Sequence, residues 1–207
     1  MLVRILLFIL WFNPAWANGC RGVNYAPPNI EIELPSEKLE FRHDLSINEL
    51  TEKFPPNLSG FNRTNGQTKY EISYQTTTST KKYESKKSVC TALSKIKVVV
   101  NMNMEVFIAR DYPVDSCKYK EVEEHENEHV QFNQKAYTDF IFNLRFALMG
   151  FWFSLPPVES DAGELFSEKV KNKVEEVYNK FNEEAKIGHN QIDTPENYYR
   201  IMGKCRS

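Results

Sequence analysis

The chain has 207 residues, with 26 Lys and Arg set against 28 Asp and Glu for a formal charge of −2. So even a balance excludes a general nucleic-acid binder, which needs a basic face. The length suits one domain, or at most two small ones.

The chain opens Met1-Leu2-Val3-Arg4, runs apolar from Ile5 to Phe12, and then offers Ala15-Trp16-Ala17. A basic start, a short apolar run and small residues at the cut describe a cleavable secretory leader over residues 1–17. The run falls well short of the roughly 20 residues that span a bilayer as a helix. No transmembrane helix is therefore expected, and residues 18–207 should form a single secreted or periplasmic domain. Cys20 follows the cut, but Ala17 stands three residues before it where lipoproteins carry Leu, so no lipid anchor at Cys20 is expected. Four cysteines in an exported chain predict two disulfides. Cys90 and Cys117 bracket an apparent strand pair, and Cys20 and Cys205 lie near the two ends, which favours Cys90 with Cys117 and Cys20 with Cys205.

Residues 18–110 read mainly as strands. Ile30 to Leu34 alternates with period two, Leu45 to Lys53 suits a short helix, and Asn65-Gly66 marks a turn before a strand over Lys69 to Thr76. Ser79 to Lys87 is polar and lysine-rich, as in a hairpin tip or loop. Lys95 to Met102 and Glu105 to Ala109 predict a strand pair joined around Asn101-Met102-Asn103. The sequons at Asn57-Leu58-Ser59 and Asn62-Arg63-Thr64 matter only in a eukaryotic host and read as chance.

Residues 118–205 read mainly as helix. Val122, His125, His129, Phe132, Ala136, Phe140 and Leu144 form one stripe of a helix from about Tyr119 to Met149. Phe151 to Pro157 turns the chain. A second helix carries Phe166, Val170, Val174, Val177, Phe181 and Ala185 on one face. A short third helix begins at Thr194-Pro195, where threonine can cap and proline takes the first helical position.

Within the first helix lies His125-Glu126-Asn127-Glu128-His129, a His-Glu-x-x-His pattern. Histidines four apart on a helix point the same way, about 6 Å apart, so both can reach one Zn²⁺. Glu126 projects beside that metal and can take a proton from water. The bland alternative is that both histidines fall by chance in an acidic helix surface. Glu121, Glu124 and Glu128, with Glu123, do read as solvated. The histidines share their stripe with Val122 and Phe132, however, where an unpartnered ring is costly.

A catalytic zinc site needs a third protein ligand. The metzincin extension would place a histidine six residues after His129; Lys135 stands there, which excludes that class. A helical hairpin turning near Pro156 sets His125 and His129 opposite Ile187 and Glu183. Close by, His189 would complete a His₃ site and Glu184 a His₂Glu site. His189 is favoured because it continues the buried line of Ala185 by one turn, with Glu184 as runner-up. His43, between Arg42 and Asp44, reads as a surface residue.

The run Cys90, Lys95 to Val100, Val106 to Ala109, Asp115 to Tyr119 and Glu124 to Val130 resembles a group of secreted bacterial proteins of unassigned function described as predicted zinc-dependent proteases. A weaker echo lies at Ile192 to Tyr198 and Cys205, and the region up to Lys87 is not covered. The resemblance implies a zincin-like exported protein, with His125, Glu126 and His129 in the motif positions. The expected fold is α+β: a small, mostly antiparallel sheet from about Asn29 to Ala109, packed on the long motif helix and its antiparallel partner. The expected activity is hydrolysis of a peptide or protein substrate, with Zn²⁺ as cofactor and Glu126 as general base. Tyr198, Tyr199 and Arg200 are candidate oxyanion donors by nearness. The alternatives are a non-catalytic exported module that binds a metal or a partner, and a protein tethered through Cys20.

Overall fold

The computed structural model describes residues 20, 24–35, 37–56, 61–84, 88–159 and 161–206. The expected leader, the sequon at Asn57 and residues 85–87 lie outside them. The elements in order are β1 (Asn29–Glu33), β2 (Glu37–Arg42), α1 (Ile47–Lys53), β3 (Gly66–Glu84), β4 (Val89–Ile108), α2 (Cys117–Trp152), α3 (Gly163–Ile192) and α4 (Pro195–Met202), with a final 3-10 turn at Lys204–Arg206. The molecule is α+β, with four helices and a four-stranded sheet among the described residues.

β4 is the spine. Successive residues of a strand face opposite sides, and Ile96, Val98, Val100, Met102, Met104, Val106 and Ile108 all point into the core, none more than 1% exposed. Each such side chain removed from water stabilises the fold by about 1.5–3 kcal/mol. The alternation runs straight through Asn101 and Asn103. The expected turn there is therefore corrected: one 20-residue strand replaces the predicted pair. Its hairpin partner is β3, paired antiparallel from Gly66↔Ile108 to Glu84↔Val89. Of the stretch from Ser79 to Lys87, expected as a hairpin tip or loop, Ser79 to Glu84 is strand, at the end of β3 where the hairpin turns toward β4. The register slips once between Ser79 and Thr80, and there Ser94 Oγ donates to the Ser79 carbonyl at 3.0 Å.

The other edge of β4 carries β1 and β2 end to end, both parallel to it (Asn29↔Lys95, Glu37↔Met102). The sheet is thus mixed, and the mostly antiparallel expectation is corrected. A bridge between Cys20 and Cys90 holds the N-terminal segment beside the start of β4, and β1 and β2 run from there in the same direction as β4.

The second bridge joins Cys117 to Cys205. Both pairings differ from those expected. A strand rises about 3.3 Å per residue, so β4 sets Cys90 and the start of α2 some 60 Å apart, far beyond the 5.5–6 Å usual between bridged Cα atoms.

α2 and α3 form an antiparallel hairpin across one face of the sheet. Ser116 caps α2 by accepting from the Tyr119 N–H at 3.1 Å. Val122, Val130, Tyr137, Phe140, Leu144 and Leu148 meet Phe166, Val170, Val174, Phe181 and Ala185 of α3 over β4. At Gly188 of α3 a Cβ would sit 2.1 Å from Phe132 Cζ, so only glycine permits this approach. α1 covers part of the opposite face with Leu50 against Phe107, and Ser46 and Glu49 cap it reciprocally. Thr194 caps α4 and Pro195 opens it, as expected. No helix among the described residues is long and apolar enough to cross a membrane.

The acids of α2 depart from expectation. Rather than solvating a free face, they hold the C-terminal segment. Glu128 accepts from Asn197 Nδ2 at 2.7 Å and from Arg200, Glu124 from Lys204 Nζ at 2.6 Å, and buried Glu121 from the Cys205 N–H at 2.7 Å and Lys118 Nζ at 2.6 Å.

Candidate metal centre

Helical spacing places His125 and His129 one turn apart on the buried side of α2, with ring centroids 4.9 Å apart. Both are nearly inaccessible, at 5% and 6% exposure. α3 ends at Ile192, and the next residue folds its side chain back: Asp193 Oδ1 lies 3.2 Å from His125 Nε2 and 3.1 Å from His129 Nε2. All three donor atoms fall within 4.8 Å of one another. Ligands about 2.05 Å from a tetrahedral zinc are separated by about 3.3 Å, so the two imidazole-to-carboxylate spacings fit such a metal.

Glu126 lines the same cavity as that convergence and is tied to the start of β3. It is 3% exposed, and the Thr68 hydroxyl donates to its Oε2 at 2.8 Å. Gly66 makes room for it: a Cβ there would lie 2.7 Å from Glu126 Oε1 and 2.4 Å from Val122 Cγ1. Burial raises the Glu126 carboxyl above its ordinary range, and the neighbouring imidazoles only partly offset this. Burial alone would also raise Asp193, but hydrogen bonds and charge from both histidines outweigh it and hold that carboxylate well below the usual range. His129 is desolvated too, yet Asp193 and Glu126 draw its imidazole up.

His189, the favoured third ligand from the sequence, occupies a different place. Its Nδ1 lies 2.9 Å from His129 Nδ1, so one ring donates and the other accepts. The ring stacks on Tyr70 at 5.3 Å and meets Phe132 edge-on at 5.1 Å. Burial and the facing His129 push its pKa down to about 4, so it is neutral. If His129 binds a metal through Nε2, its proton sits on Nδ1 and His189 accepts it, the usual arrangement behind a metal-ligating histidine. Glu184, the runner-up, is exposed and pairs with Lys180 at 3.8 Å.

The hairpin turns later than the sequence suggested, because α3 begins only at Gly163 after an extended connection pinned by reciprocal backbone hydrogen bonds between Thr91 and Val158. Each partner of α2 is consequently displaced along α3: His129 meets His189 instead of Glu183. Sequence reasoning missed Asp193, Thr68 and Gly66. The echo at Ile192-Asp193-Thr194-Pro195 was the available signal for Asp193, since an acid between a helix end and a helix cap is free to point inward.

A cavity of about 100 Å³ opens onto the cluster and reaches Gly66, Glu126, Asp193 and Tyr198. Tyr198 lies over His125 at 4.5 Å, and burial, reinforced by Asp193 and Glu126, keeps its phenol protonated. Tyr199 is 70% exposed, and Arg200 is committed to Glu128 and Asn197; of the three candidate donors only Tyr198 lines the cavity. His43 is half-buried rather than a surface residue, with Nε2 3.0 Å from both the Ala109 and Tyr112 carbonyls. No family model, curated protein or solved structure matches the chain.

Proposed function

We propose that the chain is an exported zinc-dependent peptide hydrolase, with His125, His129 and Asp193 as the metal ligands and Glu126 as the general base. The observation that carries this reading is the buried Glu126 carboxylate, held by Thr68 at 2.8 Å beside a convergent His-His-Asp set and facing a cavity. A structural metal site has no need of such a group, whereas hydrolysis needs a base of raised pKa beside the metal.

Zinc held at this site supplies Lewis acidity, polarising a carbonyl and acidifying water. Glu126 accepts the proton of the attacking water and hands it to the leaving amine. Its desolvated carboxyl sits closer to neutral pH than a solvated one, which suits both steps. The Tyr198 phenol, protonated throughout, donates to the oxygen that gains charge. His189 accepts from His129 Nδ1–H and fixes the ring that faces the metal. Two disulfides fit an oxidising compartment, and the resemblance to secreted zinc-protease-like proteins supports a peptide substrate.

A second reading, an exported metal-binding module without catalysis, draws on the narrowness of the cavity and on the buried Ile201 that walls it. Glu126→Gln separates the two. That variant should keep its metal by elemental analysis and its fold by circular dichroism, while losing roughly 10² to 10⁴ in peptide-hydrolysis rate. A parent that holds zinc and cuts nothing in mixed peptide libraries read by mass spectrometry establishes the second reading.

A further inference from the structure

The wall of the cavity combines two unlike kinds of residue. Pro55, Pro56, Phe61 and Tyr198 make part of it apolar, with Phe61 packed on Tyr198 at 4.9 Å. Arg63 also lines it, the one lysine or arginine among the described residues that do so. No carboxylate pairs with Arg63 among the described residues, although its charge is felt at Tyr112.

The backbone that follows Arg63 is fixed. The next residue, Thr64, donates its N–H to Thr51 Oγ1 at 2.9 Å and its hydroxyl to the Phe54 carbonyl at 2.6 Å. Asn65 accepts from the Ala109 N–H and from the Tyr112 hydroxyl, both at 2.9 Å. An exposed arginine usually swings freely and finds an acid on its own surface. Here the segment leading into β3 presents one beside the cluster while the nearby acids are otherwise engaged: Glu121 by Lys118 and the Cys205 N–H, Asp193 by the two histidines.

We infer that Arg63 is a specificity-determining residue, selecting peptides that place a carboxylate within guanidinium reach of the scissile bond, with an apolar or aromatic residue against Phe61. The guanidinium matches a carboxylate with two parallel hydrogen bonds. The carboxylate comes either from an Asp or Glu side chain or from a chain terminus. This inference rests on the hydrolase reading for the word substrate, but not for the binding it predicts.

The test uses the full mature protein. Zinc-loaded Glu126→Gln is titrated by fluorescence anisotropy with fluorescein-labelled Ala/Phe peptides carrying Glu, Gln or Lys at each position in turn, as free acids and as C-terminal amides. Glu peptides or free acids should bind about tenfold more tightly than their Gln or amide counterparts. Adding Arg63→Gln should erase the difference and Arg63→Glu should invert it toward Lys. A preference that follows Glu assigns a side-chain carboxylate; one that follows the free acid assigns a terminus. Equal affinities, or a carboxylate preference that survives Arg63→Glu, overturn the inference. Cleavage by the parent is measured in parallel. A parent that binds carboxylate peptides selectively but never cuts them leaves the selection standing and removes hydrolysis, whereas one that cuts all peptides with equal kcat/KM removes the selection alone.

Discussion

The hydroxyl of Thr68 donates to Oε2 of Glu126 at 2.8 Å, and neither residue is more than 6% exposed. This bond ties the start of β3 to the motif helix and aims the carboxylate. Removing a hydrogen bond to a charged group costs about 1.5–3 kcal/mol. Thr68→Val, which keeps the shape, should therefore lower kcat severalfold or more at unchanged zinc content. Gly66→Ala should act from the other side: with Glu126 Oε1 2.7 Å from the new Cβ, overpacking costs about 1–3 kcal/mol. Its melting temperature and its activity should fall together.

The ligand set is read by elemental analysis after dialysis. His125→Ala, His129→Ala and Asp193→Ala should each weaken metal binding by more than about 100-fold. Glu184→Ala should bind as the parent does, because its exposed carboxylate faces Lys180. Chelation should lower the thermal midpoint, since zinc at a hundred times its Kd stabilises by about 2.7 kcal/mol. Retention of metal by Asp193→Ala at parental affinity would move the third ligand elsewhere.

His189 separates a ligand from a group that acts through one. As the proposed acceptor for His129 Nδ1–H, it should be replaceable by Gln, which offers a carbonyl, but not by Leu. His189→Leu should lose about 10- to 100-fold in metal affinity, and His189→Gln should recover most of it. Nitrogen-15 shifts of the His129 ring report the tautomer directly. Were Gln no better than Leu, packing against Tyr70 and Phe132 would be the whole role of His189.

Bridge connectivity is checked by peptide mapping without reduction. Fragments joining Cys20 to Cys90 and Cys117 to Cys205 are expected, with no free thiol. Losing a native bridge typically costs 2–5 kcal/mol, so Cys205→Ser, paired with Cys117→Ser, should melt markedly earlier. It should also lose metal affinity, because the segment it frees carries Asp193 and Tyr198.

The helical half was legible because its signals are local. The stripe from Val122 to Leu144, the face from Phe166 to Ala185 and the Thr194-Pro195 cap all follow from spacing and end chemistry. The sheet was less so. Asn101 and Asn103 read as a turn by residue type, although the period-two line of Val98, Val100, Met102, Met104 and Val106 passes through them, and the asparagines simply fall on the opposite face. That one misreading shortened β4 and so brought Cys90 and Cys117 falsely together. Two of the three candidate metal donors could be read from the His-Glu-x-x-His spacing. Asp193 could not, because its position depends on where the hairpin turns, which is set by contacts between Thr91 and Val158 far from it in sequence.

The bridge from Cys117 to Cys205 spans 88 positions and encircles the whole helical half, including His125, Glu126, His129, His189, Asp193 and Tyr198. A nick in the α2–α3 connection would divide the candidate metal donors between two fragments that stay covalently tied. Nicked protein should run as one species until thiol is added, and should keep its metal until then. Survival of a cut chain, as much as rigidity, is what such a ring confers.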